Sequence, residues 1–205
     1  MTDAKREHWD EVYRTRAADS VSWYQPMPEP SLRALDELQL PATAALIDVG
    51  GGASSLVDRL IERGWPDLSV LDIAAPALEV AKARLRGEAA RVDWMVADVT
   101  IWRPGRHYDV WHDRAVFHFL TEPEQRLAYR NALEAGTAPG SVVIIATFAP
   151  DGPERCSGLP VQRYDAAALA AEFSSAFVLE REWREEHRTP AGGRQSFQWC
   201  VLRRR

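Results

Sequence analysis

Three aspartates each stand at the end of a mostly apolar run: Asp48 after residues 44–47, Asp72 after residues 68–71 and Asp98 after residues 92–97. Short apolar runs bounded by turn residues are the pattern of buried strands. In a doubly wound parallel sheet the ligand lies in the crevice outside the carboxyl ends of the strands, so three such acids would converge on one bound molecule. Asp48 is followed by Val49 and then by Gly50, Gly51 and Gly52. Glycine lets a backbone turn sharply and approach a ligand with no side chain between them, so strand, glycine turn and following helix make a nucleotide-type binding loop. Two features separate this loop from a dinucleotide site. The dinucleotide fingerprint needs a glycine at its sixth position, where Ser55 stands. Dinucleotide loops also hold pyrophosphate at the helix N-terminus, beside which the Asp48 carboxylate would be repulsive. A carboxylate there suits a ligand with a positive charge and no phosphate, and S-adenosylmethionine, with a sulfonium, an ammonium and a ribose, is such a ligand. Asp72 lies about 20 residues beyond the glycines, the separation at which a carboxylate takes ribose hydroxyls, and it can accept two of them at once. Asp98 can accept from the exocyclic amine of an adenine. A nicotinamide-dependent dehydrogenase is excluded by Asp48 and by the missing glycine.

Methyl transfer from a sulfonium asks little of side chains. The leaving group is already activated, the step is an in-line displacement, and proximity and orientation can supply roughly 7–11 kcal/mol. A base is needed only if the nucleophile arrives protonated. The candidate catalytic residues are Asp113 and His112, at the end of the fourth strand. Asp113 can orient an acceptor or touch the cofactor's ammonium. His118, in the apolar run 116–120, reads as a core or rim histidine, and Arg114 as an ion-pair partner of one of the crevice acids.

The elements that must position these residues follow from the pattern. Residues 3–17 read as a helix, followed by a Pro-rich connector at 25–30 and a second helix at 31–39. An alternating core runs from about 44 to 148, with helices at 53–63, 74–86 and 122–135. Asp165 is placed to cap a helix at 166–172. Strands near 177–183 and 195–202, joined by a loop holding Pro190, Gly192 and Gly193, read as a β-hairpin. The hairpin and the loop 149–164 are expected to frame the acceptor pocket, with Cys156, Arg163, Tyr164, His187 and Gln195 as polar candidates. Trp9 and Tyr13, at i and i+4, share one helix face; Trp9 is expected to pack on the domain. Trp23 and Tyr24 read equally as a lid over the methionine end or as packing.

The 205 residues fit one domain. The net charge of −5 argues against a sequence-independent nucleic-acid binder, and no run approaches the ~18 apolar residues of a membrane span. The first residues are charged and do not form an apolar signal segment. Two cysteines far apart in sequence make a disulfide framework improbable and a reducing cytoplasm the expected location. No metal-type spacing is present, and no metal is expected. Oligomeric state is left open.

Taken in order, Asp48-x-Gly50-x-Gly52, Asp72, Ala97-Asp98 and the run Tyr108 to Asp113 resemble the motifs of class I S-adenosylmethionine-dependent methyltransferases, well over residues 40–150 and more loosely elsewhere. The resemblance implies an α/β fold: a Rossmann-like, doubly wound, seven-stranded sheet with helices on both faces and its last strand antiparallel. It implies that Asp48, Gly50, Gly51 and Gly52 lie near the methionine part of the cofactor, with Trp23 above it. Asp72 and Ile73 would lie at the ribose, and Asp98 and Val99 at the adenine, the product being S-adenosylhomocysteine. On this reading residues 1–205 are a single methyltransferase domain: a helical lid (1–40), a cofactor-binding core (41–150) and a substrate-side loop with the hairpin (151–205). The aromatic opening also resembles small lysine methyltransferases acting on elongation factor and citrate synthase. Those have Asp-Lys-Gly after the fourth strand, where this chain has Asp113-Arg114-Ala115. Halide and thiol methyltransferases open with tryptophans too, so the acceptor stays open. A small molecule is the first expectation, a protein lysine in an open acidic groove the second, and a cofactor-binding protein without catalysis the third.

Overall fold

The computed structural model of the chain describes residues 2–205. Helices α1 (Thr2–Thr15) and α2 (Glu29–Asp36) precede the sheet. The alternating core is β1 (Ala45–Val49), α3 (Leu56–Glu62), β2 (Asp67–Asp72), α4 (Ala75–Leu85), β3 (Val92–Val96), β4 (Val110–Arg114), α5 (Pro123–Ala135) and β5 (Val142–Phe148). A short ribbon, β6 (Arg155–Cys156) with β7 (Leu159–Pro160), then α6 (Ala166–Phe173) and the hairpin β8 (Phe177–Arg188) and β9 (Arg194–Arg204) complete the chain. The main sheet has the order β3-β2-β1-β4-β5-β9-β8, with β9 antiparallel to both neighbours. It is the Rossmann-like, seven-stranded arrangement expected. The order reverses between β1 and β4, the switch point at which such sheets open their ligand crevice. Among the described residues no helix is long and apolar enough to cross a membrane.

Strand side chains alternate between faces, and the alternation divides the core in two. Leu46, Val70, Val110, Ile144 and Val201 pack against α2, α3 and α4. Ile47, Leu71, Trp111, Ile145 and Leu202 pack against α5 and α6. Every residue of β5 is buried. At roughly 1.5–3 kcal/mol for each large aliphatic side chain taken from water, that strand anchors the sheet. The same period decides where the chemistry-bearing residues of β4 go: His112 faces α2, and Asp113, one residue on, faces α5.

Element boundaries differ from expectation for local reasons. α3 begins at Leu56 because residues 53–55 complete the glycine turn. β3 ends at Val96, so Asp98 belongs to the following turn. β8 continues to Arg188, well beyond 183. It is an edge strand, so Glu182, Arg184 and Glu186 can face water while Trp183, Glu185 and His187 turn inward. α6 starts as expected, with the Asp165 carboxylate accepting from the Ala168 amide at 2.8 Å.

Candidate active site

The loop after β1 is shaped by what its neighbours forbid. Gly50 has φ +70°, its amide donates to the Leu71 carbonyl at 2.6 Å, and a Cβ there would lie 1.9 Å from Val116 Cγ2. A Cβ on Gly51 would lie 2.5 Å from Asp48 Oδ2, so only glycine lets that carboxylate fold over the loop. Ser55, the departure from the dinucleotide fingerprint, donates its hydroxyl to the Gln25 carbonyl at 3.0 Å and so ties the Pro-rich connector to the loop. From the other side Arg84 of α4 donates to the carbonyls of Ala53 (3.0 Å) and Ser54 (2.7 Å) and pairs with Asp58 (2.6 Å).

Asp48 is 4% exposed. Its Oδ1 lies 2.7 Å from Nδ1 of His112, its register partner on β4, and His112 Nε2 lies 2.9 Å from the Ser31 hydroxyl of α2. A carboxylate at Nδ1 holds a proton on that nitrogen, and Nε2 meets the Ser31 hydroxyl. Both ring nitrogens of His112 are engaged, and the residue borders only the smaller cavity, where it holds Asp48 in place. Asp48 Oδ2 is left above Gly51.

Asp113 is likewise engaged by its own neighbours. It is fully buried and borders neither cavity of the site. Its carboxylate accepts from the Tyr129 hydroxyl at 2.6 Å and from the amides of Val116 (2.8 Å) and Phe117 (3.1 Å). Burial raises its pKa to about 6 against these donors. Facing α5, it shapes the chain after β4, where Ala115 takes φ +74°.

Asp72 and Asp98 do meet at the carboxyl edge. Asp72 is buried and accepts the Ala74 amide at 2.8 Å; burial, then the negative charge of Asp48, raises its pKa to about 7 against the backbone donors. Asp98 Oδ1 accepts the amide and hydroxyl of Thr100 at 2.8 and 2.7 Å. Both border a cavity of about 370 Å³, together with Gly50, Ile73 and Val99, a volume within the range of small-molecule sites, roughly 300–1,000 Å³. A smaller cavity of about 60 Å³ is bordered by Asp48, Gly51, His112 and Ser31. Tyr13, Trp23, Gly50 and Arg114 border both. Gly52 borders neither and lies against Asp72 and Tyr13.

α1 roofs the larger cavity. Lys5, Trp9 and Tyr13 fall on one helix face and all three line it. The Trp23 indole N–H donates to the Tyr13 hydroxyl at 3.3 Å. Trp9 meets Trp23 and Phe119 edge-on, at 5.5 and 5.2 Å between ring centres, so it is a cavity wall as well as packing. Lys5 donates to the Phe119 carbonyl at 3.2 Å; burial lowers its pKa, opposed by Asp98 and Glu122. The i, i+4, i+8 spacing of Lys5, Trp9 and Tyr13 is the sequence signal for this wall, with a basic residue added to the aromatic pair. Tyr24 borders only the smaller cavity.

Of the five polar candidates beyond residue 150, only Cys156 reaches the larger cavity, its thiol pushed up to about 12 by burial. Arg163 pairs with Glu154 at 3.1 Å, and Tyr164 packs on Phe117. Gln195 is buried in the hairpin, and His187 donates to the Ser22 carbonyl at 2.9 Å. The hairpin therefore braces the segment between α1 and α2 that carries Trp23: Glu185 accepts from Gln25 at 3.0 Å and from the Trp199 indole at 2.7 Å. Arg114 does not pair with a crevice acid. Its Nη1 donates to the Trp23 carbonyl at 3.0 Å, and its guanidinium lies over the Phe197 ring.

Comparison with known proteins agrees with this geometry. Residues 46–140 match the family described as "Methyltransferase domain". No curated protein matches the sequence. Among solved structures, a SAM-dependent methyltransferase from Anabaena variabilis is 15% identical, with a TM-score of 0.77, over 100% of this chain and 95% of that one. A protein studied in the conversion of a disulfide bond into a thioacetal group during echinomycin biosynthesis is 20% identical, with a TM-score of 0.75, over 100% and 93%. The glycopeptide N-methyltransferase MtfA, complexed with S-adenosylmethionine, is 11% identical, with a TM-score of 0.66, over 93% and 98%. Residues 46–140 thus match a methyltransferase domain, and the sheet around them has the fold of solved SAM-dependent methyltransferases.

Proposed function

We propose that the chain transfers the methyl group of S-adenosylmethionine to a small molecule, releasing S-adenosylhomocysteine. The observation that carries this reading is the cavity of about 370 Å³ in which Gly50, Asp72 and Asp98 meet beneath the aromatic residues of α1 and of the segment between α1 and α2. In the proposed complex Asp72, with Ile73 beside it, accepts the ribose hydroxyls. Asp98 Oδ2 accepts the adenine amine, next to Val99. The loop Gly50-Gly51-Gly52 approaches the aminoalkyl end, Asp48 Oδ2 faces its positive charge, and Trp23 covers it. His112 and Ser31 are positioning residues for Asp48, and Asp113 with Tyr129 holds the turn after β4. Residues 1–40 act as roof, 41–150 as cofactor core, and 151–205 support the roof and contribute Cys156.

No side chain needs to act as a base in this scheme if the nucleophile arrives deprotonated. The chain's part is to align acceptor and sulfonium and to exclude water, the source of most of the acceleration in such a displacement. A small acceptor is favoured over a protein lysine because the cavity is walled by Trp9, Trp23, Phe119, Val116 and Leu120 and is not an open acidic groove. The glycopeptide specificity in the name of one structural neighbour points the same way. Incubation with methyl-labelled S-adenosylmethionine and a cell lysate, separated into protein and small-molecule fractions, tests the reading. Label is expected in the small-molecule fraction; label confined to protein would discard the small acceptor in favour of a lysine.

A further inference from the structure

Arg114 is the last residue of β4 and borders both cavities. Among the described residues, its Nε and Nη2 are sealed from solvent and have no hydrogen-bond partner; only Nη1 is engaged, by the Trp23 carbonyl. Glu185 is the carboxylate whose charge reaches it, yet both Glu185 oxygens are already taken by Gln25 and Trp199. The neighbouring histidines add no charge: burial, helped by Arg114 itself, holds His118 near 3 and lowers His187. Buried polar groups are almost always paired, and a buried charge without a counter-charge is costly. A guanidinium fork with its Nε and Nη2 N–H groups free complements a carboxylate. The cavity that Arg114 borders is also walled by Trp9, Trp23, Phe119 and Cys156, which are apolar and mostly aromatic.

We propose that Arg114 determines acceptor specificity, selecting a small, flat, apolar molecule that carries a carboxylate. The inference rests on the reading of the cavity as the site of methyl transfer. It assigns the anion to the acceptor because the cavity wall also carries Trp9, Phe119 and Cys156, none of which is proposed to take the adenosine. The cofactor's own carboxylate is the other possible source of the same chemistry.

The test measures S-adenosylhomocysteine affinity by calorimetry for the wild type, R114Q and R114K, then titrates benzoate and benzamide into each cofactor-saturated protein. The wild type is expected to bind benzoate about tenfold or more tightly than benzamide, R114Q to bind both alike, and R114K to keep most of the preference. S-adenosylhomocysteine affinity is expected to stay within about twofold throughout. R114K, which keeps the charge, guards against a folding defect in R114Q. Equal binding of benzoate and benzamide by the wild type, or binding of neither, would overturn the inference. So would a roughly tenfold loss of S-adenosylhomocysteine affinity in R114Q with 5′-methylthioadenosine unaffected, which would assign the anion to the cofactor. A wild type that binds no S-adenosylhomocysteine would instead defeat the methyl-donor reading itself.

Discussion

Asp72 links cofactor affinity to pH. It is buried, takes one backbone amide at 2.8 Å, and has its pKa raised to about 7, mainly by burial. To accept two ribose hydroxyls at once it must be ionised. A group of pKa about 7 is roughly nine-tenths ionised at pH 8 and one-tenth at pH 6, so the apparent Kd for S-adenosylhomocysteine should rise by about tenfold between them, about 1.4 kcal/mol. Near pH 7 binding should release about half a proton, visible in calorimetry as a heat that varies with the ionisation enthalpy of the buffer. Stability of the cofactor-free protein should move the other way. A carboxyl whose folded pKa is raised contributes stability that is full below its unfolded value and lost as pH rises through about 7. Asp113, raised to about 6, titrates nearby, so the comparison that isolates Asp72 is wild type against Asp72→Asn. The variant should bind more weakly at pH 8 and lose the pH slope. Equal slopes in the two proteins would refute the reasoning.

Three other expectations concern the frame of the site. Tyr129→Phe removes a 2.6 Å donor from Asp113 and leaves the Trp111 indole N–H without its 2.9 Å acceptor. It should cost about 1.5–3 kcal/mol of stability in denaturant unfolding while methyl transfer by the folded fraction persists; complete loss of turnover in folded protein would return Asp113 to a catalytic role. Ala115→Gly relieves a φ of +74° and should raise stability by up to ~1 kcal/mol, the left-handed strain less the entropy of glycine; a lower Tm would contradict this. Gly50→Ala meets both a φ of +70° and Val116 at 1.9 Å, and should abolish S-adenosylhomocysteine binding in titrations of the folded variant.

What could be read from the chain was whatever depends on a strand end. β1 and β2 finish on their acids or one residue beyond, and the glycine turn follows because an apolar run stops at a residue that must face the crevice. The face assignments were harder. His112 and Asp113 are adjacent, and which of them meets α2 and which meets α5 depends on helices packed from distant parts of the sequence. That single step sends His112 to Asp48 and Asp113 to Tyr129, and neither into the larger cavity. The hairpin depends on distant packing in the same way. Its inward residues His187 and Glu185 carry the chemistry of a site, but they meet the segment between α1 and α2, whose path across the sheet has no local signature. Ala115 was not legible in this way: its φ of +74° is a left-handed conformation that an alanine does not announce.

A crystal structure of the chain with S-adenosylhomocysteine tests the central claim most directly. The ribose hydroxyls should lie within hydrogen-bonding distance of Asp72, the adenine amine beside Asp98, and the aminoalkyl end toward Asp48 and Gly51. Ligand bound outside this cavity, or reversed with its adenine at Asp48, would contradict the account.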